Sequence, residues 1–253
     1  MKNILKTLPL SLFFLFFTLS PLRSIGLETT IGVTQQVPWG EVSYKGTSLD
    51  MRNDLNYGAL NTFVGRIKVK TPLFLPNFYI LASPMKFTGT GTRSIPFKYG
   101  DSAFIANATF DSTLKLDHYD TTLFYGIPFL KTETAGKLKA EFGLNVRLID
   151  FKAEIIQTQS GLSQSKSLLL PIPMAYVGLQ VAPCKWFQIQ GELKGISYGT
   201  NRYYDAIGRA RFKIISVLFV SGGYKFQAIH IDQSGVVADL RFGGPLFEIG
   251  LEF

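Results

Sequence analysis

Leu246-Phe247-Glu248-Ile249-Gly250-Leu251-Glu252-Phe253 is the stretch from which the rest of the chain is best read. Phe247, Ile249, Leu251 and Phe253 share one face at the period-two spacing of a strand, and Glu248, Gly250 and Glu252 share the other. Chain ends are ordinarily polar and frayed, so an apolar strand with a terminal aromatic has to be tied down. Pairing of the last strand with the first in a closed cylinder does that and leaves no edge. The expectation is all-β: a transmembrane, antiparallel, up-and-down β-barrel.

The same alternation runs back through the sequence. Leu27, Thr29, Ile31 and Val33 oppose Glu28, Thr30, Gly32 and Thr34. Leu138 to Leu148 is apolar at every even position, against Lys137, Lys139, Glu141, Gly143, Asn145 and Arg147. Such segments predict about ten strands, an even number as single-chain bacterial barrels require, with eight the alternative. In three strands the apolar face changes parity, at Asp117-His118, Leu148-Ile149 and Gly243-Gly244-Pro245. A one-residue bulge is the natural expectation at Asp117-His118, and a slip of register at the other two. Trp39–Tyr57, Gly89–Ser102, Gln157–Lys166 and Gly199–Tyr203 are polar or rich in turn-formers, and read as loops.

Residues 1–26 read as a signal-peptide helix, with Lys2 and Lys6 ahead of the apolar Leu8–Leu19 and a cut after Gly26. Residues 27–253 then form a single barrel domain, secreted across the inner membrane. No apolar run outside the signal reaches the roughly 20 residues of a spanning helix. Two histidines and the lone Cys184 argue against a metal site, and no cofactor is implied. The net charge of +8 comes from Lys and Arg spread over alternate strand positions. That fits a surface facing anionic lipid rather than a nucleic-acid partner.

Alternation alone does not say which face meets lipid. Lys or Arg on the lipid face at the bilayer midplane costs about 2–4 kcal/mol, so strand charges must point inward. The expected lumen charges are Arg66, Lys68, Lys70, Glu141, Arg147, Glu192, Arg209, Arg211, Asp239 and Arg241, with Asp150 and Glu248 as further acidic partners. Phe74, Phe78, Phe129, Trp186, Phe187 and Phe253 fall at inner strand ends, as an interfacial aromatic girdle would. Asp117-His118-Tyr119-Asp120 is the most enzyme-like cluster, since a bulge would let His118 and Asp120 share a face. A polar bulge above the bilayer is the preferred reading of it. His230, Asp232 and Ser234, two apart along one strand, lie about 7 Å from one another, too far for a proton relay.

Leu75-Pro76-Asn77, the run Asp117 to Leu123, Pro171-Ile172-Pro173-Met174 and Ala238-Asp239-Leu240-Arg241-Phe242-Gly243-Gly244-Pro245 together resemble an uncharacterised family of Gram-negative outer-membrane β-barrel proteins. The terminal face of Phe247, Ile249, Leu251 and Phe253 is similar to the C-terminal signal that the outer-membrane assembly machinery reads. The resemblance implies location and fold, and brings no activity or site. The functional expectation is an integral outer-membrane barrel, structural or a narrow channel with a charged, largely plugged lumen, whose loops contact outer-membrane lipid and lipopolysaccharide. The alternative is a rim-site enzyme hydrolysing lipid A or peptides through His118 with Asp117 or Asp120.

Overall fold

The computed structural model describes residues 25–72, 75–233 and 235–253, so the expected signal segment Met1–Ser24, Phe74 and Ser234 lie outside the described residues. Alternating residues become strands throughout. The barrel is built from β1 (Gly26–Tyr44), β3 (Leu60–Lys70), β4 (Asn77–Ser83) with β5 (Lys86–Thr92), β8 (Thr109–Gly126), β9 (Leu138–Gln157), β10 (Leu162–Cys184), β11 (Phe187–Tyr198), β12 (Asn201–Lys213), β13 (Leu218–Gln233) and β14 (Val236–Glu252). Each pairs antiparallel with the next, and β14 returns to β1 from Glu28↔Glu252 to Tyr44↔Val236. Beyond that ladder the Phe253 amide donates to the Leu27 carbonyl at 2.8 Å, so the terminal residue is part of the seam. β4 and β5 are one barrel strand, because Ser83↔His118 and Lys86↔Lys115 belong to the same register. The ladder lapses between them where Pro84 has no N–H, and Asp117 Oδ1 accepts the Met85 amide at 2.8 Å instead. Counted this way, the cylinder is closed and ten-stranded.

The outer wall carries an apolar belt. Ile31, Phe63, Ile80, Leu123, Leu144, Val177, Leu193, Val220 and Phe247 all point outward, with Leu144 73% exposed. Phe78, Phe129, Trp186 and Phe253, four of the six aromatics expected in the girdle, are exposed around the end where Leu27 meets Phe253, and Phe187 is half-buried there. An exposed apolar belt around a whole circumference is intelligible only in hydrocarbon.

The expected bulge and the two expected register slips are absent. β8 pairs β9 without a slip from Asp111↔Ile156 through Asp117↔Asp150 to Gly126↔Glu141, and β13 pairs β14 continuously past Gly243, Gly244 and Pro245. What changes at those points is the polarity of the two faces, not the register. Below the change β8 sends Tyr119, Leu123 and Tyr125 outward and His118, Asp120 and Thr122 inward. Above it Leu114 and Leu116 point inward, while Lys115 and Asp117 point outward. In sequence an unbroken strand that leaves hydrocarbon for water looks the same as a bulge, because either one moves the apolar set to the other face.

The distal half of the barrel is therefore a water-surrounded turret with an apolar interior. Trp39–Tyr57, expected as an outer loop, instead continues β1 to Tyr44 and then folds back into the cylinder. There β2 (Leu49–Asp50) pairs with β1 at Glu41 and Val42, and Leu49, Met51, Leu55 and Tyr57 are fully buried. Gly89–Ser102 is mostly strand, from β5 to the small hairpin of β6 (Phe97–Tyr99) and β7 (Ser102–Phe104), whose aromatics stack inside at 5.0 Å. Gln157–Lys166 tightens to a turn at Thr158–Gly161, and Gly199–Tyr203 to a turn at Gly199-Thr200. The opposite end carries short connections, among them α1 (Pro128–Glu133).

Arginine at Leu144 should cost about 2–4 kcal/mol, whereas arginine at Ser163, on the same outer face of the turret, should stay within about 0.5 kcal/mol. Urea unfolding of the protein refolded in phospholipid vesicles, followed by tryptophan fluorescence, measures both. Equal costs at the two positions would contradict a boundary between them.

Candidate functional site

Closure turns every second side chain of the lower barrel inward, and the polar residues that alternation placed there meet in two tiers. In the tier nearer the termini, Arg66 on β3 donates to both oxygens of Glu248 on β14, at 2.8 and 2.9 Å. Glu192 on β11 accepts from Arg209 on β12 and from the Tyr79 hydroxyl at 2.9 Å. Lys68 Nζ lies 2.6 Å from Glu141 Oε2 and 4.7 Å from the centre of the Phe124 ring. Arg211 reaches Glu28 at 3.0 Å and covers the face of Phe219.

The second tier centres on Arg147 of β9, whose side chain has no exposed surface. It donates to both oxygens of Asp120 at 2.6 and 2.7 Å, to Asp205 at 2.6 Å and to the Tyr203 hydroxyl at 2.7 Å. Lys194 Nζ adds a 2.6 Å bond to Asp120. Gln227 donates to Asp205 at 2.7 Å. A buried ion pair stands only when its geometry is good and its remaining donors find partners, and a planar guanidinium forked between two carboxylates and a phenol meets that condition. Above this tier the apolar interior of the turret begins.

Arg66, Lys68, Glu141, Arg147, Glu192, Arg209 and Arg211 stand in the lumen where alternation placed them. Lys70 is at the terminal rim, 3.7 Å from Glu252 and 41% exposed. Asp239 and Arg241 are corrected: both project outward above the belt, 3.6 Å apart and more than half exposed. Asp150 likewise faces outward and pairs with Lys115 at 2.5 Å. The physical reason is the polarity inversion. In the turret the charged face is the outer one, so the inward rule that holds at membrane depth reverses. Lys194, Asp205 and Lys225 complete the network. Their side of the wall followed from alternation, but nothing in the sequence gave their partners.

His118 does not sit at a rim. It is 1% exposed, inside the wall at the junction of charged tier and apolar turret, with Lys225 Nζ and Gln227 Nε2 at 3.3 and 3.4 Å from its Nε2. Ser83 Oγ lies 3.5 Å from Lys225 Nζ. Asp120 shares the inward face with His118 without any bulge, yet its oxygens are held by Arg147 and Lys194. Asp117 is on the opposite face of the strand. His230 lies outside, 3.6 Å from Asp239. In the charged half, Glu28, Lys68, Glu141, Glu192 and Arg209 line a cavity of about 20 Å³ near the terminal mouth, room for about one water. In the turret, burial lifts the Tyr57 phenol to about 12, in keeping with a dry interior.

No protein-family model matches the chain, and no curated protein does. Among solved structures it is similar to Ail, the attachment invasion locus protein of Yersinia pestis, at 13% identity and TM-score 0.38 over 91% of this chain and 99% of that one. It is similar to the outer membrane protease OmpT from Escherichia coli at 12% identity and TM-score 0.46, over 91% and 96%. The translocator domain of the autotransporter NalP from Neisseria meningitidis gives 12% and 0.44, over 90% and 88%. These likenesses are of architecture at most, and no activity passes from them to this chain.

Replacing Arg147 by Met should destabilise the barrel by about 3–5 kcal/mol, because Asp205 loses its cation and keeps only Gln227, and Asp120 Oδ1 loses its partner in a dry lumen. Adding Asp205→Asn should return part of that loss. Unfolding midpoints of the single and double variants in the same vesicles decide the matter, and strictly additive losses would show that the two residues do not interact.

Proposed function

We propose that this protein resides in the outer membrane of a Gram-negative cell as a sealed barrel, one that carries no solute along its axis and works through its wall and its turret. What carries the reading is the pair of barriers in series: two tiers of mostly paired, buried charges, then an interior packed with the in-folded segment from Leu49 to Tyr57. An anion path would need the basic row Arg66, Arg209 and Arg211 to keep charge for a passing ion. Here Glu248, Glu192 and Glu28 already take it. A hydrolase would need a nucleophile and base that substrate can reach. His118, the one histidine of the enzyme-like cluster, is enclosed by the wall. The remaining chemistry is on the outside: a turret bearing charges such as Lys115, Asp150, Asp239 and Arg241, presented to lipopolysaccharide and the medium. The turret's apolar core gives it the rigidity of a folded domain.

Refolded protein added to a planar lipid bilayer should raise no discrete conductance steps. Steps in the wild-type protein, lost on replacing an inward arginine, would overturn the sealed reading in favour of a narrow channel.

A further inference from the structure

The wall is not complete at every height. β10 runs beside β9 from Leu162 to Val181, but is paired with β11 only from Ala175 downward; β11 continues past Gly195 to Tyr198 paired with β12 alone, and the β11–β12 hairpin then turns back at Gly199-Thr200. Above Ala175 the second edge of β10 is paired with no strand among the described residues. Pro171 and Pro173 stand on that stretch, where a missing N–H leaves no donor unpaired. A comparable split separates β3 from β5, and there the in-folded segment closes it. Asn56 Nδ2 donates to the Thr90 carbonyl at 2.8 Å, and the segment's backbone comes so close that a Cβ on Gly89 would lie 2.0 Å from the Leu55 carbonyl oxygen. The split beside β10 has no such filler. It opens a cavity of about 490 Å³, within the roughly 300–1,000 Å³ usual for small-molecule sites. Leu170, Ile172, Ile229 and Ile231 form its floor and walls, with Pro171 and Pro173 at the lip.

Its height identifies its contents. Pro173 lies beside Val146 and Pro171 beside Leu148, the last residues of the outer apolar belt, and Leu169 lies beside the outward Asp150. The split thus begins in hydrocarbon and ends at the level where the outer face becomes charged. At its mouth stands Arg202, exposed and outward, with no ion pair or side-chain hydrogen bond among the described residues. We infer that this lateral split holds one acyl chain of an anionic lipid from the surrounding membrane leaflet, with the lipid's phosphate on Arg202. A chain already in the bilayer gains little from apolar transfer, so discrimination comes from the fit of the slot and from the phosphate contact. The inference is independent of the sealed lumen: conductance tests that reading, and lipid retention tests this one.

The protein is refolded in detergent mixed with dimyristoyl phosphatidylglycerol, dimyristoyl phosphatidylcholine or free myristate, and retained ligand is read by native mass spectrometry. Wild type should keep a single phosphatidylglycerol and little phosphatidylcholine. Ile229→Trp, which fills the slot, should keep neither. Arg202→Gln, a surface change that leaves the fold alone, should lower phosphatidylglycerol retention about tenfold, as loss of one charge-assisted bond implies. Equal retention by wild type and both variants would mean an annular lipid only, and would overturn the proposal. Retention of myristate without phosphatidylglycerol would overturn the assignment to a membrane lipid.

Discussion

Backbone amides at membrane depth have no water to turn to, so every N–H and C=O there must be paired within the wall itself. That constraint explains why β14 closes on β1, and why the closure extends to the last residue through Phe253 and Leu27. It also explains the treatment of proline. Pro84 interrupts a ladder and Asp117 repairs it, whereas Pro171 and Pro173 are tolerated because they lie along an edge that already lacks a partner strand.

Once the cylinder is closed, its interior must be filled, and the two halves fill it in opposite ways. At membrane depth the outward face goes to apolar residues, so polar residues are driven inward and must satisfy one another. Arg147 with Asp120, Asp205 and Tyr203 is the most complete instance. In the turret water is outside, and the same backbone alternation delivers Leu114, Leu116, Ile149 and Ile155 to a conventional apolar core. β8, β9 and β14 run unbroken from cylinder to turret, so along them the boundary is a change of side-chain chemistry with no change of backbone. The lateral split sits at that boundary, where neither filling strategy covers the wall.

Much of this architecture was legible from residue pattern alone. Period-two spacing located the strands, and the lipid-face cost of charge assigned Arg66, Arg209 and Arg211 to the lumen. The pattern failed where it depended on surroundings that it does not encode. A parity change at Leu148-Ile149 is the same string whether a residue is inserted or the solvent outside changes. The segment Leu49–Tyr57 mixes Asp50, Arg52, Asn53 and Asp54 with Leu49, Met51, Leu55 and Tyr57 at no regular period, so nothing local marks it as an interior plug.

The sequence by itself determined that alternating strands would close into a cylinder with its grease outward, because backbone satisfaction and side-chain period are local properties of the chain. Only the tertiary structure decided which charges meet, that His118 is enclosed, and that a split remains beside β10. Each of these depends on residues brought together from strands far apart in sequence, and on how far one hairpin rises relative to its neighbour.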